Sequence, residues 1–276
     1  MATQQTTGAA TFKEMEQAGW EVMAPDYDAL AGQITMQATD ALLDAAKVTK
    51  GTRLLDVACG PGYGAGAAAA RGAEALGIDF ADSMVAESTR KFPGIEFQID
   101  DAEKLSFEDD SFVAVICPFG LLHMEDPDSA IREAFRVLKN KGRYAFSTWT
   151  TPETHEFFAI VLSAIEAHGT LDVPLPPAPP LFRFSDAGEC TRVLNDAGFV
   201  EADVTEVRPI WKATSGQQVL DFIYKCTIRT AAMLRLQSPE ALDQIHREIV
   251  ERAEVYKAGS TYDIAWPAVI ASGSKP

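Results

Sequence analysis

Three aspartates and a cluster of glycines are the residues whose spacing first predicts chemistry in this chain. The stretch LLDVACGPGYGAG (54–66) carries Asp56 at the end of an apolar run, and glycines then alternate from Gly60 to Gly66. Asp79 and Asp101 close the next two apolar stretches. Glycine lets a backbone approach a ligand closely, and a carboxylate at a strand end can accept hydroxyl or amine hydrogens. The pattern therefore predicts a cofactor site.

The positions of the acidic residues indicate which cofactor the glycine loop binds. Gly60–Ala65 fits G-x-G-x-x-[GA], which dinucleotide-binding proteins share, so the glycines alone do not name the ligand. A carboxylate at Asp56 would repel a pyrophosphate and attract an ammonium group. Asp79 is expected to accept both hydroxyls of a ribose, and Asp101 an adenine amine while the Ala102 N–H donates to the ring. S-adenosylmethionine has an amine, a ribose and an adenine but no phosphate, and fits this set.

His123, in GLLHMEDP, is the candidate general base, since an ordinary imidazole with a pKa of about 6.5 can take a proton at neutral pH. Methyl transfer from a sulfonium needs a base only when the nucleophile carries a proton that must leave. The favoured alternative is that His123 packs against the methionine moiety or fixes its loop. Cys59 and Cys117 lie on or beside apolar strands, where cysteine is usually a small hydrophobe. The four histidines are separated, and no metal site is expected.

The elements that must position these residues alternate along the chain. The first part is predicted to be helical from Ala10 to Ala46, with a break at Pro25 and a frayed tail before it. The predicted strands are 53–58, 74–79, 95–101, 111–119, 142–149, 200–207 and 261–273. The predicted helices are 63–72, 81–92 with Asp82 or Ser83 near its start, 127–140, 152–169, 185–199 capped by Ser185 or Asp186, 215–236 and 238–257. A Pro-rich stretch at 171–184 is predicted to be irregular.

Strand–helix alternation with short links predicts an α/β fold, a Rossmann-like, doubly wound, seven-stranded and mostly parallel sheet with helices on both faces and an inserted helical lid. We expect a tail and helix start at 1–19 and a cofactor-binding core at 20–150. A lid or insertion is expected at 151–184. The remainder, 185–276, is expected to complete the same domain, with inserted helices at 209–257 shaping an acceptor pocket.

Four motifs in order resemble those of class I S-adenosylmethionine-dependent methyltransferases of the methyltransferase-11/UbiE-like group. They are LLDVACGPG, LGIDFADSMV, IDDAEKLSFEDDSF and AVICPFGLLHMEDPDSAIREAFRVLKNKG. KNKGR stands where the family usually has Pro-Gly-Gly, which is a turn detail. Trp20 and Tyr27 resemble the family's N-terminal lid. The resemblance implies that the product is S-adenosylhomocysteine and that the cofactor contacts are Tyr27, Asp56, Ala58, Gly60, Gly62, Asp79, Phe80, Met84, Asp101, Ala102, Glu103, Cys117 and His123.

Composition limits the partners. The 276 residues include 40 acidic and 24 basic side chains, for a net charge of −16. A field of that sign repels nucleic acid and anionic membrane surfaces. No apolar run reaches the ~20 residues of a membrane span, and no signal peptide is evident. We expect a cytoplasmic protein that acts on a small, largely apolar acceptor.

The acceptor pocket is expected from the N-terminal helix, the 152–184 segment and the helices after 215. Its candidate apolar walls are Phe157, Phe158, Phe182, Phe184, Trp211, Phe222 and Tyr224. His155 is expected at the surface, and His168 and His246 on helix faces. Two alternatives remain open: an NAD-dependent oxidoreductase, and a non-catalytic protein that binds S-adenosylmethionine as a sensor or assembly partner.

Overall fold

A computed structural model describes residues 10–276; the tail predicted at the N-terminus lies largely outside them. The strands are β1 (Arg53–Val57), β2 (Glu74–Asp79), β3 (Glu96–Ile99), β4 (Phe112–Pro118), β5 (Leu138–Trp149), β6 (Val200–Val207), β7 (Ile210–Ala213), β8 (Lys257–Ala258), β9 (Thr261–Ala265) and β10 (Ala268–Ser274). The helices are α1 (Phe12–Ala29), α2 (Gly32–Thr35), α3 (Thr39–Ala45), α4 (Tyr63–Ala70), α5 (Asp82–Lys91), α6 (Pro127–Val137), α7 (Glu156–His168), α8 (Ala187–Asp196), α9 (Gly216–Cys226), α10 (Arg229–Arg235) and α11 (Pro239–Ala253).

Seven strands form the main sheet in the order β3-β2-β1-β4-β5-β10-β6. The five strands from β3 to β5 are parallel, and β10 runs antiparallel to both β5 and β6. The chain moves outward from β1 to β3 and then returns to β4 on the other side of β1. Ligands of such sheets bind beyond the carboxyl ends at that reversal. The predicted Rossmann-like fold class is confirmed.

Both faces of the sheet are covered by helices. Leu54 and Ala114 belong to the core under α3 and α4, whereas Leu55 and Val115 belong to the core under α6 and α8. Neighbouring residues of one strand point to opposite faces, so a continuous apolar run such as LLDV packs on both sides.

A third core lies beyond the main sheet. It joins α7, α9, α10 and α11 to a small sheet ordered β7-β9-β8, and it is rich in aromatic side chains. The sequence did not predict this small sheet. The predicted last strand at 261–273 is two strands in different sheets, because the chain leaves β9 at Trp266 and Pro267 and re-enters the main sheet as β10.

Several other boundaries differ from prediction. α1 continues through Pro25 to Ala29, and its packing of Trp20 and Met23 on Ile228 offsets the lost backbone bond. α6 ends at Val137, since Leu138 is extended and pairs with Phe112.

The predicted helix at 215–236 is α9 and α10. Thr227 is extended between them, and its hydroxyl donates to the Ile223 carbonyl. The predicted helix at 152–169 begins only at Glu156, after a turn. Asp186, one of the two predicted caps, accepts the Glu189 N–H at the start of α8. The proposed division of the chain into segments remains a prediction.

Candidate functional site

A cavity of about 370 Å³ opens at the carboxyl ends of β1, β2 and β4. Its walls come from the segments after these strands, from α1, α2 and α7, and from the Pro-rich segment, the stretch 171–182 that follows α7. The start of α10 closes another side. It therefore spans the predicted cofactor motifs and the predicted acceptor segments.

The glycine loop after β1 forms one wall of the cavity. Ala58 and Gly60 have φ angles of 53° and 50°, in the left-handed region, and both line the cavity. Nothing lies within 4 Å of the position of a Cβ on Gly60, so the loop backbone is open on that side. A non-glycine residue held at positive φ is strained, and such strain concentrates at functional sites. At Phe119, after the neighbouring strand β4, φ is also positive, at 55°.

The structure contradicts the expected orientation of the Asp56 side chain. It was expected to point toward the ligand and attract an ammonium group, but its side chain is 0% exposed and does not line the cavity. Its Oδ2 accepts the Ala65 N–H at 2.7 Å, underneath the glycine loop. A Cβ on Gly64 would lie 2.5 Å from that oxygen, so only glycine permits this approach. Burial raises the Asp56 pKa to about 8, with a further contribution from the charge of Asp79. Asp56 holds the loop from below.

Asp79 lies on the cavity wall at the end of β2. Its Oδ2 accepts the Gly60 N–H at 2.9 Å and its Oδ1 accepts the Ala81 N–H at 3.1 Å. Burial raises the pKa of this carboxyl to about 6 against the lowering effect of these backbone donors. The same side chain thus ties the glycine loop to β2 and borders the space where a ribose was predicted. Phe80 and Met84, which follow it, also line the cavity.

The acids after β3 are engaged by α1. Lys13 donates to Asp101 at 2.7 Å and to Glu103 at 2.9 Å. Neither acid lines the cavity, and neither does Ala102. Glu103 also accepts the N–H groups of Glu125 and Asp126 and so joins this loop to the start of α6. In this arrangement Lys13 occupies the carboxylate that was expected to receive an adenine amine.

His123 follows β4 and lines the cavity together with Glu16 and Trp20 of α1. Its Nδ1 lies 2.8 Å from Oε2 of Glu16, and its ring meets the Trp20 ring edge-on at 4.9 Å. Glu16 is only 2% exposed. The sequence analysis did not identify Glu16, because it lies 107 positions from His123 on a helix outside the four motifs.

Of the thirteen predicted cofactor contacts, the cavity wall includes Tyr27, Ala58, Gly60, Asp79, Phe80, Met84 and His123. Those outside it are Asp56, Gly62, Asp101, Ala102, Glu103 and Cys117. Cys117 lies in the core under α6, as a small hydrophobe would, and burial raises its pKa to about 12. Gly62, with φ of 84°, begins α4 instead.

The far side of the cavity is aromatic. Phe157, Phe158 and Phe222 line it as predicted, and Trp149 and Trp266, which were not predicted, join them. The other proposed wall residues lie elsewhere. Trp211 and Phe182 pack in the third core, and Phe184 lies in the core under α6. The Tyr224 hydroxyl oxygen lies 2.7 Å from Nε2 of His246. Among residues 10–276, Arg229 is the one lining side chain of lysine or arginine type, and it donates to the Pro176 carbonyl of the Pro-rich segment.

His155 was expected at the surface, and this was wrong. Its side chain is 0% exposed, and it lies among Trp149, Phe158 and Trp266. Its Nδ1 accepts the Phe158 N–H at the start of α7. Burial lowers the pKa of this imidazole to about 3, so it is neutral. A histidine directly before an apolar helix can serve as an N-cap, and that signal was available in the sequence. No cluster of three potential metal ligands occurs within residues 10–276, and no helix in that range is long and apolar enough to cross a bilayer.

The geometry is compatible with S-adenosylmethionine on two counts. The Gly60 backbone is open to the cavity, and Asp79 stands beside it with Phe80 and Met84. The adenine end would require Lys13 to share or release Asp101. Gly60 and Asp79 are therefore the main residues that would hold S-adenosylmethionine.

Comparison with known proteins agrees with the motifs. Residues 55–146 match the family described as "Methyltransferase domain". The chain is 40% identical over 105 residues to a demethylmenaquinone methyltransferase of Clavibacter sepedonicus, which covers 37% of this chain and 43% of that protein. It is 34% identical over 134 residues to the same enzyme of Renibacterium salmoninarum, covering 47% and 56%. The chain thus spans about half the length of these curated relatives.

Solved structures extend the similarity of fold across the chain. The crystal structure of the YcgJ protein of Bacillus subtilis superposes with a TM-score of 0.58 at 19% identity, covering 87% of this chain and 98% of that one. The [4+2]-cyclase SpnF superposes with a TM-score of 0.60 at 20% identity, covering 97% and 98%. The resemblance predicted from the four motifs is confirmed.

Proposed function

We propose that this chain, whose residues 55–146 match the family described as "Methyltransferase domain", transfers a methyl group from S-adenosylmethionine to a small, largely apolar acceptor. The observation that carries the proposal is a single cavity with two unlike ends. One end has the glycine loop and Asp79, and the other has a group of six aromatic side chains, which are Phe119, Trp149, Phe157, Phe158, Phe222 and Trp266. A donor and an acceptor placed in one cavity can meet without water between them, which is what this transfer requires.

The cofactor supplies a methyl group already activated on a sulfonium. The protein's own contribution at that end is to hold and orient. Asp79 offers carboxylate oxygens to a ribose, and bonds to a charged acceptor contribute about 1.5–3 kcal/mol each. Asp56 fixes the glycine loop from beneath through the Ala65 N–H. The residues of the loop therefore keep the positive φ angles that open the Gly60 backbone to the cavity.

The acceptor end favours a flat, apolar ring system. Phe157 and Trp266 are stacked at 4.4 Å, and Phe119 and Trp149 at 3.9 Å, so rigid ring faces border the space. Aromatic surfaces of this kind bind planar rings by offset or edge contact. The curated relatives are named for a quinone, and a naphthoquinol is the first acceptor to test. Trp149, Phe157 and Trp266, however, lie outside residues 55–146, so the family match does not cover them.

The test is a binding measurement followed by turnover. Isothermal titration should show binding of S-adenosylmethionine and S-adenosylhomocysteine and none of NAD. Asp79→Ala should raise the dissociation constant more than about tenfold, whereas Asp221→Ala, an exposed control on α9, should not. Tight NAD binding without any response to S-adenosylmethionine would overturn the assignment. Incubation of methyl-labelled cofactor with naphthoquinols and phenols then separates an enzyme from a sensor, which would bind and transfer nothing.

A further inference from the structure

Glu16 and His123 form a side-chain pair on the cavity wall that is arranged to move a proton. Their contact of 2.8 Å joins Oε2 of Glu16 to Nδ1 of His123. A carboxylate can only accept, so the hydrogen of this bond belongs to Nδ1, and in the neutral ring Nε2 then carries the lone pair. Among the described residues no hydrogen bond reaches Nε2, while the His123 side chain borders the cavity.

The His123 ring is also held in place by its surroundings. The Trp20 ring meets the His123 ring at 90°, and the backbone N–H of His123 donates to the Gly120 carbonyl at 3.0 Å. Glu16 has 2% of its surface exposed, so water does not compete for its carboxylate. A buried carboxylate that fixes the tautomer of a histidine and stabilises its protonated form is the arrangement used for general-base catalysis.

Several other polar side chains on the wall are less suited to accept a proton. Thr35 and Thr227 donate their hydroxyls to carbonyls of their own helices. The oxygens of Asp79 already accept two backbone N–H groups. Burial raises the pKa of Tyr27 and of Cys226, the latter to about 12, so neither ionises at neutral pH. The unoccupied lone pair of His123 stands out against these.

We propose that Glu16 is a positioning residue for His123, that the pair acts as the general base of the proposed transfer, and that the acceptor is therefore a hydroxyl compound of the phenol or enol class. This inference rests on the proposed function and deepens it. The hydroxyl proton moves to Nε2 of His123. The acceptor oxygen forms its bond to the methyl carbon as the methyl–sulfur bond breaks, and the electron pair of that bond stays on sulfur. The imidazolium, stabilised by Glu16, later releases the proton to water.

The position of Glu16 couples the base to the N-terminal helix. α1 is attached to the cofactor edge by other contacts, among them Gln17 to the Phe80 carbonyl at 2.9 Å and Glu21 to the N–H groups of Asp82 and Ser83 at 2.7 and 3.0 Å. When α1 lies across the cavity, Glu16 reaches His123. The Glu16–His123 pair needs α1 in this docked position, so proton removal depends on how α1 is packed against the cavity.

Nitrogen-15 NMR of histidine-labelled protein tests the pair without any substrate. At about pH 8.5, where an ordinary imidazole is neutral, the wild-type ring of His123 should show a protonated Nδ1 and a bare Nε2. The signals are assigned by their loss in His123→Asn. Glu16→Gln should shift the ring toward the other tautomer or a mixture. Glu21→Gln is the matched control, since it removes a carboxylate from the same helix that does not touch His123, and it should leave the tautomer unchanged.

Kinetics with 1-naphthol, or with whichever phenol the wild type methylates, supply the second readout. Glu16→Gln should lower kcat by about tenfold or more with KM and the S-adenosylmethionine dissociation constant within about threefold, and His123→Asn by about 10²–10⁴-fold. The double variant should be no slower than His123→Asn alone. 1-Methoxynaphthalene should not react.

Three results would overturn the proposal. One is a bare Nδ1 in the wild type, and another is an unchanged tautomer in Glu16→Gln. The third is a rise of more than about tenfold in the cofactor dissociation constant of Glu16→Gln with kcat preserved, which would assign Glu16 to the cofactor's ammonium group. A protein that shows the expected tautomer but transfers no methyl group would overturn the proposed function and leave the positioning role standing.

Discussion

Replacing Asp56 with asparagine should stabilise the fold, although the residue lies at the centre of the first motif. Burial raises its pKa from 3.8 to about 8. Below pH 4 the carboxyl is protonated in both the folded and the unfolded chain. As the pH rises toward 8, only the unfolded chain releases the proton, so the stability of the folded state falls by about 1.4 kcal/mol for each unit. An asparagine does not titrate and escapes this loss.

The size of the stability difference follows from the pH range over which only the unfolded chain releases the proton. Between about pH 5 and pH 8 the ideal loss is about 4 kcal/mol, and relaxation around an interior carboxyl reduces it to about 2–4 kcal/mol. Asp56→Asn keeps an oxygen for the Ala65 N–H. Its amide nitrogen replaces Oδ1, which has no partner among the described residues, and any cost of that exchange is the same at every pH.

Urea unfolding of both proteins measures the difference. The free energy of unfolding of Asp56→Asn minus that of the wild type should grow by about 2–4 kcal/mol between about pH 5 and pH 8 and level off above. Titration of groups that do not interact with Asp56 cancels in this difference. Asp79→Asn is the companion variant, because its pKa is raised only to about 6, and its difference should stop growing near that pH. A difference for Asp56→Asn that is flat across the range would show that its charge is stabilised inside the fold.

Two further predictions concern residues outside the cofactor motifs. His155 is buried with a pKa lowered to about 3, so as the pH falls below about 6.5 only the unfolded chain gains a proton at this residue. In urea unfolding between about pH 6.5 and 4.5, the free energy of unfolding of the wild type should fall by about 2–3 kcal/mol relative to that of His155→Asn, and an equal dependence on pH in both proteins would contradict a neutral buried ring. Gln237 holds the residue before the Pro-rich segment through two bonds to the Thr170 backbone, at 3.0 and 2.8 Å. Gln237→Ala should therefore speed proteinase K cleavage of that segment about tenfold, whereas Gln217→Ala, an exposed control, should not, and equal rates would show that the segment is held elsewhere.

The parts of the fold that were predictable from sequence are those set by short-range patterns. The strand at 74–79 and the strand at 200–207 were predicted at their observed bounds, because alternation and flanking turn residues define them. The Asp186 cap and the glycine turn after β1 likewise depend on residues within a few positions. The break predicted at Pro25 failed because packing across the chain outweighed one lost hydrogen bond.

The parts that escaped prediction depend on distant pairs. β7 and β9 pair although about 50 residues separate them in sequence, with Trp211 opposite Ile264. Neither strand carries a sequence pattern that predicts which strand it pairs with. Glu16 has the same difficulty, since only the folded chain brings it to His123. Asp56 illustrates a different limit. The sequence correctly placed it at a strand end, but whether such a side chain faces the ligand or the loop beneath it depends on how closely α4 approaches, which Gly64 permits.

The docking of α1 on the rest of the protein determines where Glu16 lies. Polar side chains of α1 contact the rest of the protein at several points: Lys13 at the loop after β3, Glu21 at the start of α5, and Asp28 at Lys91 at the end of α5. The ion pairs made by Lys13 and Asp28 are partly exposed and contribute modestly by themselves, since exposed ion pairs stabilise by about 0–1 kcal/mol. Together they place one buried carboxylate, Glu16, against His123. With the buried packing of Trp20 and Met23 on Ile228, these contacts fix the helix in one position, and in that position the histidine gains its partner.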